Sequence, residues 1–124
     1  MTHMILRVAL ASSVVACAGG EVKTGPEPVS VGHWCGAVGK ATCGNTADKC
    51  FGGISGFEEG CLDSFVERCT GGDAGRMTTR SYDDLNVCVG FVDSRSCEQL
   101  GSDTGEAMVG TGTFAQLCTL EPAQ

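Results

Sequence analysis

Cysteine is the residue that most constrains the fold of this chain. Nine cysteines occur in 124 residues, a density typical of exported proteins that are stabilised by disulfides in an oxidising compartment. One of them, Cys17, lies in an N-terminal segment with the features of an export signal. Setting it aside leaves eight, an even number that is sufficient for four disulfides. The eight are Cys35, Cys43, Cys50, Cys61, Cys69, Cys88, Cys97 and Cys118.

The segment from Cys61 to Cys69 limits how these cysteines pair. Both cysteines share one helical face with Leu62, Phe65 and Val66. Eight residues of helix span about 12 Å, whereas a disulfide needs Cα atoms roughly 4.4–6.8 Å apart. In a continuous helix the two cysteines therefore bond to other elements.

The same argument excludes Cys35–Cys43 and Cys88–Cys97 within intact helices. An antiparallel hairpin of the first two helices would join Cys35 to Cys69 and Cys43 to Cys61. A bond between Cys50 and Cys61 across the turn is an alternative, because eight cysteines allow many connectivities.

Periodicity predicts three main helices. The first covers 31–50 with Ser30 as its N-cap, and the second follows Ser55, which has capping-box spacing to Glu58, and runs to Cys69. Residues 73–80 are predicted to form a polar loop. The third helix starts at Ser81 with Asp84 at its N3 position, and its buried face contains Leu85, Cys88, Val89 and Val92.

The rest of the chain adds little regular structure to this prediction. Residues 101–112 are rich in glycine and threonine and are expected to be irregular, and 114–118 form a last short turn or helix. Aromatic residues make up only 6% of the chain, so the apolar core is expected to be thin and disulfides to compensate. The predicted fold class is all-α, a small disulfide-stapled bundle of about three helices with an irregular C-terminal segment.

The N-terminus has the pattern of an export signal. Residues 1–16 contain Arg7 followed by the short apolar run 8–15, and translation from Met1 or Met4 is compatible with it. The motif Val14-Val15-Ala16-Cys17 resembles the lipobox of bacterial lipoproteins. This resemblance implies lipidation of Cys17. Cleavage after Ala18 by an ordinary signal peptidase is the alternative.

The lipobox resemblance also implies a location and a domain organisation. Ala18 is not the aspartate that retains bacterial lipoproteins in the inner membrane, which implies the outer membrane. Residues 17–30 would then be the lipid-anchor cysteine and a flexible tether, and 31–120 the cysteine-rich helical domain. No apolar run reaches the roughly 18 residues that a membrane-spanning helix needs.

The whole pattern resembles small cysteine-rich lipoproteins of unknown function from predatory, myxobacteria-like bacteria. The resemblance implies no activity. It depends on the lipobox, the tether and two cysteine groups, which are Thr42-Cys43 through Cys50, Cys61 and Cys69, and Leu85-x-x-Cys88 through Cys97.

The residue types argue against several chemistries. A formal charge of −7 disfavours nucleic-acid binding. No C-x-x-C pair occurs, and His33 is the one histidine beyond the export signal, so no metal site, cofactor or catalytic residue is predicted. The Gly110–Ala115 segment formally fits G-x-G-x-x-A, but is expected to be a turn. The acidic stripe of Glu59, Asp63 and Glu67 is expected to be a solvated face, with binding of calcium or a basic partner as the alternative.

The leading functional hypothesis is a non-enzymatic, monomeric, lipid-anchored protein of the cell envelope that has a role in binding or envelope structure. One alternative is a soluble inhibitor or effector module, secreted to the periplasm or the extracellular space. Another is a small hydrolase that uses His33 as its base.

Overall fold

The computed structural model describes residues 22–120. The predicted signal peptide and Cys17 lie outside this range. Within it, five helices and a small two-stranded sheet follow one another along the chain. They are β1 (Pro28–Ser30), α1 (Val31–Phe51), α2 (Phe57–Thr70), β2 (Met77–Ser81), α3 (Tyr82–Asp93), α4 (Cys97–Met108) and α5 (Gly112–Cys118).

The mostly helical class is confirmed, but residues 22–120 contain five helices rather than three. The main error concerns 101–112, which were expected to be irregular and instead lie largely in α4. A capping box starts this helix, since Ser96 Oγ accepts from the Gln99 amide and the Gln99 side chain accepts from the Ser96 amide. Capping and burial of Leu100 offset the helix-weakening effect of Gly101 and Gly105.

The second difference is the small sheet. β1 pairs antiparallel with β2, although the sequence placed β1 in the tether and most of β2 in a polar loop. Val29 is fully buried in the core, and Thr78 Oγ1 donates a 2.9 Å hydrogen bond to its carbonyl. Residues 28–30 therefore belong to the folded domain and not to the tether, because Val29 packs in the core and β1 pairs with β2.

Two of the three predicted helix starts are confirmed. Ser30 caps α1 by accepting from the His33 amide, and Ser81 and Asp84 form the capping box of α3. The predicted box at the start of α2 is wrong, because the N-cap is Gly56, with φ 91° and no side-chain cap. The longest helix, α1, continues through Gly44 to Phe51.

Helix α1 is the centre of the molecule. Trp34, Cys35, Val38 and Cys43 on this helix are all at most 1% exposed. The indole Nε1 of Trp34 donates a 2.8 Å hydrogen bond to the Cys118 carbonyl, which ties α1 to the end of α5. A buried tryptophan whose N–H is satisfied in this way provides much of a small core.

Four disulfides connect the helices. Two of them join α1 to α2, as the antiparallel hairpin predicted. The alternative bond between Cys50 and Cys61 is not formed, because Cys50 pairs with Cys97 of α4. A fourth bond joins α3 to α5. The pairs are Cys35–Cys69, Cys43–Cys61, Cys50–Cys97 and Cys88–Cys118, with Cα atoms 5.1–5.8 Å apart.

Helices α1 and α2 approach each other closely at Gly39. A Cβ atom at this position would lie 2.8 Å from Phe65 Cδ1 and 3.0 Å from Leu62 Cδ1. On the same helix, a Cβ at Gly36 would meet nothing within 4 Å. Gly39 is therefore required by packing against α2, whereas Gly36 is not.

These two glycines make a matched pair for a stability test. We expect Gly36→Ala to stabilise the protein by about 0.5–1 kcal/mol through helix propensity. We expect Gly39→Ala to destabilise it by about 1–3 kcal/mol, because Phe65 must move. Urea unfolding of both variants without reductant measures the difference. Equal effects of the two substitutions would contradict the close approach of α2.

Candidate functional site

A cleft of about 830 Å³ lies among the described residues. Helix α2 forms one wall, α4 and α5 with the residues that follow form the other, and Thr42 and Thr46 of α1 form the floor. The volume falls within the range of small-molecule sites in proteins. Carbon and sulfur atoms dominate its surface, including the side chains of Phe57, Phe65 and Met108.

The cleft exists because α2 packs mainly on α1 and not on the other helices. No residue of α2 is fully buried. The face that the sequence predicted to be buried, with Leu62, Phe65 and Val66, is only half-buried. The side of α2 that faces α4 and α5 therefore remains open to a ligand.

Covalent bonds hold both walls in place. α2 is bonded to α1 at two points, eight residues apart on each helix, and α4 is bonded to α1 through Cys97. An ion pair adds to the second wall, since the guanidinium of Arg95 donates two 2.9 Å hydrogen bonds to the carboxylate of the buried Asp103. The hydrogen bond to Asp103 raises the pKa of Arg95 further above its usual value.

Because α2 has so little buried surface, its attachment should depend on its disulfides. We expect replacement of Cys35, Cys69, Cys43 and Cys61 by alanine to abolish amide-exchange protection in 57–70 while protection persists in α3 and α5. Hydrogen exchange read by mass spectrometry measures this.

The matched control for this experiment is Cys50→Ala with Cys97→Ala, which removes a bond of α1 that does not involve α2. In this control α2 should stay protected. Full protection of α2 in the four-cysteine variant would show that packing alone holds this helix.

Arg68 is the one ionisable residue among those that line the cleft. It lies in the last turn of α2, and its side chain is exposed. Within residues 22–120 it forms no salt bridge and no side-chain hydrogen bond, whereas Arg76, Arg80 and Arg95 all do. An unpaired cation therefore lies beside an apolar cleft in a chain of net negative charge.

A polar atom of the cleft floor is left unsatisfied. Thr42 Oγ1 is buried and has no hydrogen-bond partner among the described residues. The neighbouring Thr46, one turn later, donates to the Thr42 carbonyl instead. A buried hydroxyl without a partner costs about 1–3 kcal/mol.

Thr42→Val removes this hydroxyl with little change of shape. We expect it to raise the free energy of unfolding by about 1 kcal/mol, or at least not to lower it. Thr46→Val is the control. It removes a hydroxyl that donates a hydrogen bond to the Thr42 carbonyl, and it should be neutral or destabilising. Thermal unfolding of both variants gives the comparison, and a loss of stability in Thr42→Val alone would mean that the hydroxyl has a partner.

The structure disperses the other residues that the sequence singled out. His33 is exposed in the first turn of α1, where its ring meets that of Tyr82 edge to face at 5.4 Å. The acidic stripe is exposed along α2. The G-x-G-x-x-A segment was expected to be a turn, but only Gly110 and Thr111 precede the helix, and 112–115 are the first residues of α5. Gly110 and Gly112 both have positive φ. All eight cysteines of the described range are in disulfides.

Residues 22–120 contain neither a metal-binding cluster nor a helix that could span a membrane. No group of three or more histidine, cysteine, aspartate or glutamate side chains is arranged to hold a metal ion. None of the helices in this range combines the length and apolar character needed to cross a membrane.

The cleft was not predicted from the sequence. Its walls come from three separate regions of the chain, and their relative position depends on the pairing of Cys50 with Cys97, which spacing did not suggest. One local signal was available, because Met108 and Val109 are large apolar residues in a segment that otherwise reads as polar.

Comparison with protein-family models, with curated proteins and with solved structures found no match.

Proposed function

We propose that this chain is an exported, non-enzymatic, monomeric binding protein of the cell envelope, anchored by lipid on Cys17. The disulfide-stapled domain would stand outside the membrane and present its cleft. Four disulfides indicate an oxidising, extracytoplasmic compartment. The outer membrane, as the lipobox resemblance implies, is the proposed location.

The observation that carries the proposal is the closed set of disulfides. The eight cysteines from Cys35 to Cys118 pair with one another. Lipidation of Cys17 therefore takes no cysteine from the framework, and the odd number of cysteines has a chemical reason. The lipobox-like Val14-Val15-Ala16 that precedes Cys17 supports the same assignment.

A binding role is supported by the shape and rigidity of the domain. The cleft is apolar, of ligand size, and bounded by helices that are covalently fixed. A preformed site of this kind avoids the entropic cost of ordering its walls when a ligand binds.

The intact mass of the mature protein from a bacterial host tests the anchor. We expect a chain that starts at Cys17 and carries acyl groups. On reduction it should gain the mass of eight hydrogen atoms, because the reductant opens four disulfides to eight thiols. Cys17→Ser is the control and should lose the acyl mass but keep the gain on reduction. It should also leave the membrane fraction.

A mature chain without lipid that starts at Gly19 would overturn the lipoprotein proposal and favour the soluble secreted module. A smaller gain on reduction would overturn the closed disulfide set instead. The two results are independent, because one concerns Cys17 and the other concerns residues 35–118.

A further inference from the structure

We infer that the cleft between α2 and the α4–α5 wall binds a single-chain amphiphile with a carboxylate head group, such as a fatty acid, with its tail in the cleft and its head at Arg68. This assignment deepens the proposed binding function and rests on it, but it does not depend on lipidation of Cys17.

The apolar surface of the cleft points to a hydrocarbon tail. The two facing walls contribute Phe57 and Phe65 on one side and Ala107, Met108 and Phe114 on the other. Met108 is 80% exposed at the edge of the cleft. Covering such surface is favourable by the hydrophobic effect, and each buried methylene of a ligand adds to the affinity.

The disulfides explain why this apolar surface stays open. Closing the cleft would require α2 to move toward α4. Cys43–Cys61 and Cys35–Cys69 prevent this, because they bond α2 to α1 near the start and near the end of α2. On the other side, Cys50–Cys97 ties the start of α4 to the end of α1. The walls therefore cannot collapse onto each other, and a ligand is what can cover them.

Charge selects the head group. Arg68 is the one charged residue of the lining, and it has no ion-pair partner within the described range. A guanidinium binds a carboxylate through two parallel hydrogen bonds. The side chain of Ser64, one turn earlier on α2 and also in the lining, is a further donor on the same wall.

The field of the rest of the protein favours a head group with one negative charge. The net charge is −7, and the acidic stripe lies on the same helix as Arg68. A head group with several negative charges would gain one guanidinium contact and be repelled by the remaining carboxylates. A neutral head group would lose the charge-assisted contact with Arg68, and a cationic head group would be repelled by this guanidinium.

The first experiment compares three amphiphiles of equal tail length, which are dodecanoate, dodecanol and dodecyltrimethylammonium. Binding to the full mature chain is measured by calorimetry below the concentration at which micelles form. We expect dodecanoate to bind most tightly, by about tenfold over dodecanol, as one charge-assisted contact allows. The cationic compound should bind more weakly than dodecanoate, because it cannot form the contact with Arg68.

Two matched pairs of variants locate the site. Arg68→Gln should weaken dodecanoate binding about tenfold and leave dodecanol binding unchanged, whereas Arg76→Gln, which removes a charge outside the cleft, should change neither. Met108→Glu should weaken binding of both compounds, whereas Val109→Glu, at an equally exposed neighbour that does not line the cleft, should have little effect. All four positions are exposed, so these variants are expected to fold.

Three results would overturn the inference. The first is no binding of dodecanoate. The second is dodecanoate binding that Arg68→Gln does not weaken, or equal binding of the three head groups. The third is a ligand-free dimer that Arg68→Gln or Met108→Glu dissociates, since this would assign the cleft to a second copy of the chain. None of these results alters the mass of the mature protein, so a failure here is distinguishable from a failure of the proposed anchor.

Discussion

The structure depends on the covalent connections of α1. Three of the four disulfides leave this helix, from Cys35, Cys43 and Cys50, and they reach α2 and α4. Trp34, on the same helix, donates a hydrogen bond to the Cys118 carbonyl, and the Arg80 guanidinium packs on the face of its ring. In a chain with so few aromatic residues, these connections replace the apolar burial that fixes helix positions in larger domains.

This arrangement explains how a small protein keeps an apolar cleft. In a domain without cross-links, helices close over exposed hydrophobic surface, because burial is the main favourable term in folding. Here the position of α2 is set by two bonds and by the close approach at Gly39. The helix is held in place although none of its residues is fully buried. The same bonds that make the domain stable therefore leave one face of it available for binding.

The sequence predicted the parts of the fold that depend on local pattern. Residue type and spacing predicted the first helix with its Ser30 cap and the capping box of Ser81 and Asp84. They also placed the end of α2 at Cys69, one residue before its end in the structure. Distance along a helix also excluded three cysteine pairs, and an antiparallel hairpin then predicted the two bonds between α1 and α2.

What the sequence did not predict depends on contacts between distant residues. The α4 helix was hidden by its glycines and is stabilised by pairing of Asp103 with Arg95, by its cap and by Cys50–Cys97. The short β1 strand forms because Val29 fits the core, which no local pattern reveals. The cleft and the position of Arg68 follow from these long-range contacts, so the candidate site could not be read from the sequence.

Disulfide mapping under non-reducing conditions tests the central claim most directly. Cleavage after lysine and arginine, in acid-quenched and denatured protein, should link the peptide 24–40 to 69–76 alone, and should join 41–49, 50–68, 81–95 and 96–124 into one larger species. Further cleavage after Glu58 and Glu106 separates Cys50 from Cys61 and Cys97 from Cys118, which assigns each bond of that species. Recovery of 50–68 as a free, internally bonded peptide would mean that Cys50 pairs with Cys61. That result would contradict the covalent framework, and with it the position of α2 and the cleft.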